Sequence, residues 1–314
     1  MSDSVPFAVI ASVPCFRTRP YVRRAVESLL AQTHRDLTVV VTADGDPDPP
    51  WAELAHIRDR RLIRFSLRKN HGPYFVHQVV LAASASPYFL IQDADDWSLQ
   101  DRVSRLLETL VAEGSDMAFS AWQQYRVAGD GFLRPDSIRW RRREAYPEGS
   151  CTGKPRVKTP RERFLFDPVL TDDFDNRASH HGLFRRKALE RIGGYYGGFR
   201  INYDTLLTNL LLTTGKVSFV DTPLYCYLLR NDSLSHSEST GAKSETRRRI
   251  KEQQAAIYRE ALQYRRAWIG QQLTSPEFMS RIRSLSTRFV TGEDRTELIF
   301  ETARLEAVLR GNAL

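Results

Sequence analysis

Three aspartates stand within four residues at Asp93-Ala94-Asp95-Asp96. Carboxylates in that pattern can hold a divalent cation and leave coordination positions open for phosphate oxygens. A cation held there would neutralise the negative charge that develops as a diphosphate departs. Aspartate is also common in turns and helix caps. The cluster therefore gains meaning from the element that delivers it.

That element is a strand. Residues 88–91 form a compact apolar run, and the cluster starts two residues after it. Upstream, residues 7–13 read as a buried strand ending near Pro14. Pro20 marks a helix start, where its missing N–H costs nothing, and Val22, Ala25, Val26, Leu29 and Leu30 follow at helical spacing. Residues 37–41 are a second strand, and the Asp-Gly-Asp-Pro-Asp-Pro-Pro run at 44–50 is a loop. Residues 62–67 fit a third strand, 70–73 a turn, and Val76, Val79, Val80 and Ala83 a helix. Ser98-Leu99-Gln100-Asp101 has the pattern of a capping box, ahead of a helix with Val103, Leu106, Leu107, Leu110 and Val111 on one side. Residues 117–121 read as a further strand.

Strands alternating with helices predict an α/β chain with a mainly parallel sheet and helices on both faces. Ligands of such sheets bind outside the carboxyl ends of the strands. Asp44 ends the second strand, and Asp93, Asp95 and Asp96 follow the strand at Tyr88. Both acidic sites thus fall on one edge of the sheet.

Residues 129–165 are rich in Arg, Pro and Gly without periodicity, and read as a long, mobile loop. From 134 to 163 there are ten Lys or Arg against four Asp or Glu, so this segment carries most of the formal net charge of +8. Leu183, Phe184, Ala188, Leu189 and Ile192 then suggest a helix closed by Gly193-Gly194. Leu206, Leu207, Leu210 and Leu211 form a second stripe ended by Gly215. Residues 217–220 fit a strand, and 243–314 should be helical. No internal repeat is visible.

The composition suits a water-exposed globular chain: 41% of residues are hydrophobic and 27% charged. Cys15, Cys151 and Cys226 have no regular spacing, which argues against a disulfide framework or a cysteine-rich zinc site. No stretch approaches the ~18 apolar residues of a membrane span. The apolar run near the N-terminus lacks a basic leader. The expected location is the cytoplasm.

Several segments together resemble the family-two glycosyltransferases. Residues 21–33, Tyr-Val-Arg-Arg-Ala-Val-Glu-Ser-Leu-Leu-Ala-Gln-Thr, are similar to that family's first-helix signature. Ala43-Asp44-Gly45-Asp46 stands where the family has Asp-Asp-Gly-Ser. Asn70-His71-Gly72-Pro73 resembles its Asn-x-Gly turn, and Gln92-Asp93-Ala94-Asp95-Asp96-Trp97-Ser98 its metal-binding motif. The order and spacing of these pieces make the resemblance specific, and it runs from about residue 7 to 236.

The resemblance implies the GT-A fold, a Rossmann-like nucleotide-diphospho-sugar transferase domain over 1–238. Its nucleotide-binding half would span about 5–125 and its acceptor half about 165–238, with a helical C-terminal extension over 239–314. It implies a nucleotide-sugar donor (UDP-, GDP- or dTDP-linked), a divalent Mn2+ or Mg2+ cofactor and inversion at the anomeric carbon. Asp44 would contact the base, with Pro14 and Phe16 lining its pocket and Asn70 beside it. Asp93 and Asp95 would hold ribose and metal, with Asp95 the first choice as metal ligand and Asp96 sharing it. Asp204, in Arg200-Ile201-Asn202-Tyr203-Asp204, stands where the family commonly has Glu-Asp at a helix start, and is the candidate general base. Arg230 and His236 lie in a segment similar to one near the family's diphosphate, where Arg230 would pair with phosphate oxygens and His236 ligate metal. His180 and His181 would border the acceptor site.

Five positions depart from the family pattern: Arg17, Ala43, the pair His77-Gln78, and Tyr203 before the candidate base. The acceptor could be a glycan, a lipid-linked sugar or a small metabolite. The helical tail could cover the acceptor site, form a homodimer or touch a membrane surface. A nucleotidyltransferase on the same fold would want a Gly-rich phosphate loop after the first strand, which residues 13–17 do not supply. A nucleic-acid-binding reading would use the basic segment with Trp140 and Tyr146 as stacking platforms. No recognised nucleic-acid module accompanies them, and no nucleic-acid partner is expected.

Overall fold

The computed structural model describes residues 8–127, 133–139, 170, 172–230, 241 and 244–312. The core of the fold is one twisted sheet. Strands β1 (Val9–Cys15), β2 (Leu37–Asp44), β3 (Leu62–Leu67) and β4 (Tyr88–Ile91) lie side by side in the order β3-β2-β1-β4, all parallel. Helices cover both faces, so these strands are apolar almost without interruption instead of alternating. Helix α1 (Val22–Leu30) and helix α3 (Arg102–Ala112) share one core cluster with Val9, Ala11, Val39 and Leu90. Helix α2 (Pro73–Ala83) packs in the other, with Ile10, Val40, Phe89 and Ile91.

The parallel pattern ends at β4. Strand β8 (Gly182–Arg185) runs antiparallel both to β4 and to β6 (Met117–Val127). Strand β9 (Val217–Leu229) then pairs parallel with β6, and the two-residue β5 (Trp97–Ser98) closes onto β9. Gly182 has the clearest local reason for its identity. A Cβ there would sit 2.7 Å from the Ala118 carbonyl oxygen, so only glycine allows β8 to approach β6 so closely.

Three sequence expectations change. Leu183 and Phe184 belong to β8, not to the following helix, which is α4 (Arg186–Ile192). They point into the two different cores, one on each face of the sheet, and two adjacent apolar residues in a doubly covered strand mimic a helical stripe. The run Ser98–Asp101 makes no capping box. The Val103 N–H in the first turn of α3 is capped from a distance instead, by Gln32 Oε1 accepting it at 2.9 Å, while the Ser98 hydroxyl serves buried Gln92 and Arg102. Finally, the start of the basic stretch is not loop: Leu133–Arg139 forms β7, antiparallel to the end of β6.

The tail is helical as expected, in α6 (Glu245–Ile269), α7 (Ser275–Ser286) and α8 (Gly292–Asn312). It does not form a separate core. Ile257, Leu262, Phe278, Ile282, Leu285 and Leu305 are buried in the same cluster as Phe75 and the residues of α5 (Tyr203–Thr214). Each such side chain contributes roughly 1.5–3 kcal/mol on burial, so the extension is integral to the fold. No helix among the described residues is long and apolar enough to cross a membrane.

Candidate active site

The acidic loop leaves β4 at the carboxyl edge of the sheet and is tied down from the opposite side by β9. Trp97 and Ser98 pair with Cys226 and Tyr225. Asp96 turns inward and is 1% exposed. Its Oδ2 accepts from the Tyr225 hydroxyl at 2.7 Å and its Oδ1 from the Leu228 N–H at 2.7 Å. Burial, and then the charges of Asp95 and Asp93, push its carboxyl well above the usual range. Asp96 therefore fastens the loop, with both oxygens already engaged.

Asp93 and Asp95 face outward more, with side chains 32% and 20% exposed. Asp95 Oδ2 accepts from Arg230 Nη1 at 2.9 Å. Burial and the Asp93 charge push the Asp95 carboxyl up, against the pull of Arg230. Burial also works against ionised Asp93, but the charge and hydrogen bond of His181 outweigh it, helped by His180 and His77, and hold Asp93 well below the carboxylate range. The three carboxylates bring one oxygen each to within 4.8 Å of one another. Under them lies Arg102, wholly buried, which donates to Gln92 Oε1 at 2.9 Å and the Ile91 carbonyl at 2.9 Å and stacks over the Tyr225 ring. Burial pushes its guanidinium down to about 10, which leaves it cationic at neutral pH as a fixed counter-charge.

The donor chemistry fits a divalent cation. Asp93 and Asp95 offer hard oxygens toward the exposed side, and a second group, Asp93 with His180 and His181, has one donor atom each within 4.8 Å. Asp93 belongs to both groups.

His180 and His181 reach this edge because β8 is antiparallel. Leu90 is opposite Leu183, so the chain just before Gly182 lies beside the chain just after Ile91. His181 Nε2 is 2.9 Å from Asp93 Oδ2. His180 Nδ1 is 3.5 Å from Asp204 Oδ2. Burial, then His181, pushes His180 down to about 4, so it is neutral at pH 7. Asp204 sits in the first turn of α5, after Asn202 in the left-handed region at φ 61. Its Oδ1 accepts from the Tyr74 hydroxyl at 2.6 Å. Tyr203, the residue before it, turns the other way and is buried against the tail, its hydroxyl 2.8 Å from Ser286 Oγ.

The expected nucleotide side divides. Asp44 is 2% exposed, and its carboxylate oxygens accept the His71 and Gly72 N–H groups at 2.9 and 2.7 Å. It braces the 70–72 turn from within. Asn70 donates to the Asp44 carbonyl at 3.0 Å and accepts from Arg200, which ties that turn to the chain leading into α5. Phe16 follows β1 and is exposed, with Arg17 over its ring. Pro14 lies on β1 opposite Thr42. His236, Trp140 and Tyr146 lie outside the described residues.

Sequence reasoning assigned no role to Tyr74, Tyr225 or Arg102, and gave His181 only a border position. The signal for His181 was the paired histidines ahead of a Gly-Leu-Phe run. Reading them as an edge residue pair required knowing that this run is an antiparallel strand.

With that geometry in view, likeness to known proteins is informative. The sequence profile described as Glycosyl transferase family 2 matches residues 11–193, more than half of the chain. The succinoglycan biosynthesis protein ExoO of Rhizobium meliloti is 26% identical over 235 residues, covering 74% of this chain and 64% of its own length. Glycosyltransferase GlyA of Streptococcus pneumoniae is 25% identical over 239 residues, covering 71% of this chain and 31% of its own. The chain thus spans less than two thirds of either relative. Among solved structures, S. aureus TarS 1-349 in complex with UDP superposes with a TM-score of 0.53 at 16% identity, over 96% of this chain and 91% of that one. The same fragment in complex with UDP-GlcNAc gives a TM-score of 0.54. These likenesses show that the fold is the GT-A fold expected from the sequence.

Proposed function

The chain belongs to glycosyl transferase family 2, and on that premise we propose that it is a metal-dependent, inverting glycosyltransferase. It moves a sugar from a nucleotide-sugar donor to an acceptor hydroxyl or amine. The observation that carries this reading is the meeting of the two halves of the sheet edge. Through His181 and His180, Asp93 of the acidic loop and Asp204 of α5 share one cluster.

In this reading Asp93 and Asp95 hold the cation and the donor, while Asp96 and Tyr225 keep the loop in place. A bound divalent cation would neutralise charge developing on the diphosphate. Arg230, already beside Asp95, presents its guanidinium to the phosphate oxygens. Asp204 accepts the proton of the acceptor O–H as that oxygen bonds to the anomeric carbon. The bond from that carbon to the diphosphate oxygen breaks, and its electron pair leaves with the nucleoside diphosphate. A single displacement inverts the centre. Tyr74 and His180 hold the Asp204 carboxylate in one orientation, which a base in hydrogen-bond reach of its proton needs. Phe16 and Asn70 line the base side of the donor, and Asp44 acts there by shaping the 70–72 turn.

The UDP and UDP-GlcNAc complexes of TarS support a uridine donor as the first to test. Likeness to a succinoglycan biosynthesis protein supports a glycan or lipid-linked acceptor. The test is mass spectrometry after incubation with UDP-, GDP- and dTDP-sugars in Mn2+ or Mg2+. Release of nucleoside diphosphate from at least one donor, abolished by chelator, is expected. No release from any donor, with oligonucleotide binding of steep salt dependence instead, would favour the nucleic-acid reading.

A further inference from the structure

The two residues ahead of Asp204 are fastened to the C-terminal extension. Asn202 Nδ2 donates to Gln254 Oε1 of α6 at 2.7 Å. The Tyr203 hydroxyl is 2.8 Å from Ser286 Oγ at the end of α7. Earlier in the same connection, the Tyr196 hydroxyl donates to Asp294 Oδ1 of α8 at 3.1 Å. Each tail helix thus meets the chain between α4 and the start of α5 through a polar contact. Asn202, Tyr203, Gln254 and Ser286 are all buried.

Local stability explains neither Asn202 nor Gln254. An asparagine at a helix start ordinarily turns its side-chain oxygen onto the amides of the first turn. Asn202 makes no such cap. It stands at φ 61, a region asparagine tolerates better than most residues, and gives its amide to the tail. Gln254 is wholly buried, and its Nε2 has no partner among the described residues. An unmet buried donor destabilises a core, and a leucine there would carry none. What the amide adds over a leucine is the bond to Asn202.

That bond bears on Asp204, whose carboxylate is held from the opposite side. Its Oδ1 accepts from the Tyr74 hydroxyl at 2.6 Å, and the Tyr74 ring meets the Tyr203 ring edge-on with centroids 5.8 Å apart. A shift of Asn202 or Tyr203 therefore moves both the backbone that carries Asp204 and the tyrosine that orients it. Misplacement of a reacting group by about 1 Å can cost about 10²-fold in rate.

We propose that the tail helices clamp the turn that carries Asp204, and that Gln254 is a positioning residue for Asp204 through Asn202. This rests on the reading of Asp204 as the general base. The helical extension is then part of the transfer machinery as well as of the core.

The experiment compares Gln254→Leu, Asp204→Asn and the double variant, with calorimetric titration of UDP in Mn2+ beside a transfer assay using the donor found active. Gln254→Leu should lower kcat about tenfold or more and leave UDP affinity unchanged. Its melting temperature should stay close to that of the wild type, because one unmet buried N–H group, on Asn202, replaces another. In the Asp204→Asn background the same substitution should change the residual rate little, since the group it positions is gone. A wild-type kcat in Gln254→Leu would overturn the proposal, and so would an equal fold-loss in both backgrounds. If Gln254→Leu does not fold, Tyr203→Phe removes the contact to Ser286 and carries the same expectation, and a wild-type kcat there would overturn the clamp. These results leave Asp204 as the base. Transfer at the wild-type rate in Asp204→Asn alone would instead end that reading, and the clamp with it.

Discussion

The Tyr74 hydroxyl donates to Asp204 Oδ1 at 2.6 Å, across 130 positions of sequence. Tyr74 stands in the first turn of α2, after the turn that Asp44 braces, and Asp204 in the first turn of α5. Burial, and then the Asp204 charge, push the Tyr74 phenol well up, so it stays protonated and stays a donor. Tyr74→Phe should lower kcat roughly tenfold or more, a part of the roughly 10²–10⁴-fold attributed to a well-placed base, with little change in donor KM. Steady-state kinetics check it. An unchanged kcat would show that Asp204 needs no positioning by Tyr74.

The neighbouring aspartates of the loop should separate by phenotype. Asp95→Ala should abolish Mn2+-dependent stabilisation by UDP while leaving the melting temperature of the free protein nearly unchanged. Asp96→Ala should do the reverse first. It strands the Tyr225 hydroxyl and the Leu228 N–H, both buried, at about 1–3 kcal/mol for each unmet group. Thermal denaturation with and without ligand distinguishes them. Equal melting temperatures for the two free variants would contradict the division of labour.

Acid should weaken the fold through His77. Burial pushes its imidazole down to about 3, opposed by the Asp93 charge, and its Nδ1 is 2.9 Å from Ser12 Oγ. The ordinary histidine value is near 6.5. Between those values the unfolded chain binds the proton and the folded chain does not, so stability is present above pH 6.5 and is lost as pH falls toward 3. The slope is about 1 kcal/mol per pH unit for one such group. Urea denaturation at pH 7 and pH 5 should show the loss, and His77→Gln should show less of it. Equal losses in both proteins would remove His77 as the cause.

Sharing one core with the tail has a consequence for cooperativity. Phe278 is fully buried and stacks on Trp268 at 5.0 Å. Phe278→Ala should cost about 3–5 kcal/mol and lower a single unfolding transition for the whole chain. Two transitions, with only the smaller one shifted, would show that the tail folds independently.

What the sequence disclosed depended on the range of the interaction. The strands around Asp44 and Asp93 were readable because each is a local apolar run with a turn beside it. The shared sheet edge followed from parallel order alone. The motif singled out Asp204 as a candidate but not its partners, since Tyr74 and His180 come from distant segments. The capping box at Ser98 failed because Gln32, remote in sequence, supplies the cap. Leu183 and Phe184 were misread because a strand covered on both faces loses its alternation. In each miss a tertiary contact replaced the local one that the sequence suggested.

The proposed division between donor binding at Asp93 and Asp95 and proton removal at Asp204 is tested most directly by Asp204→Asn. Calorimetric titration with UDP in Mn2+, beside a transfer assay with the donor found active, should give wild-type affinity and a transfer rate lowered at least about a hundredfold. Transfer at the wild-type rate would contradict the account.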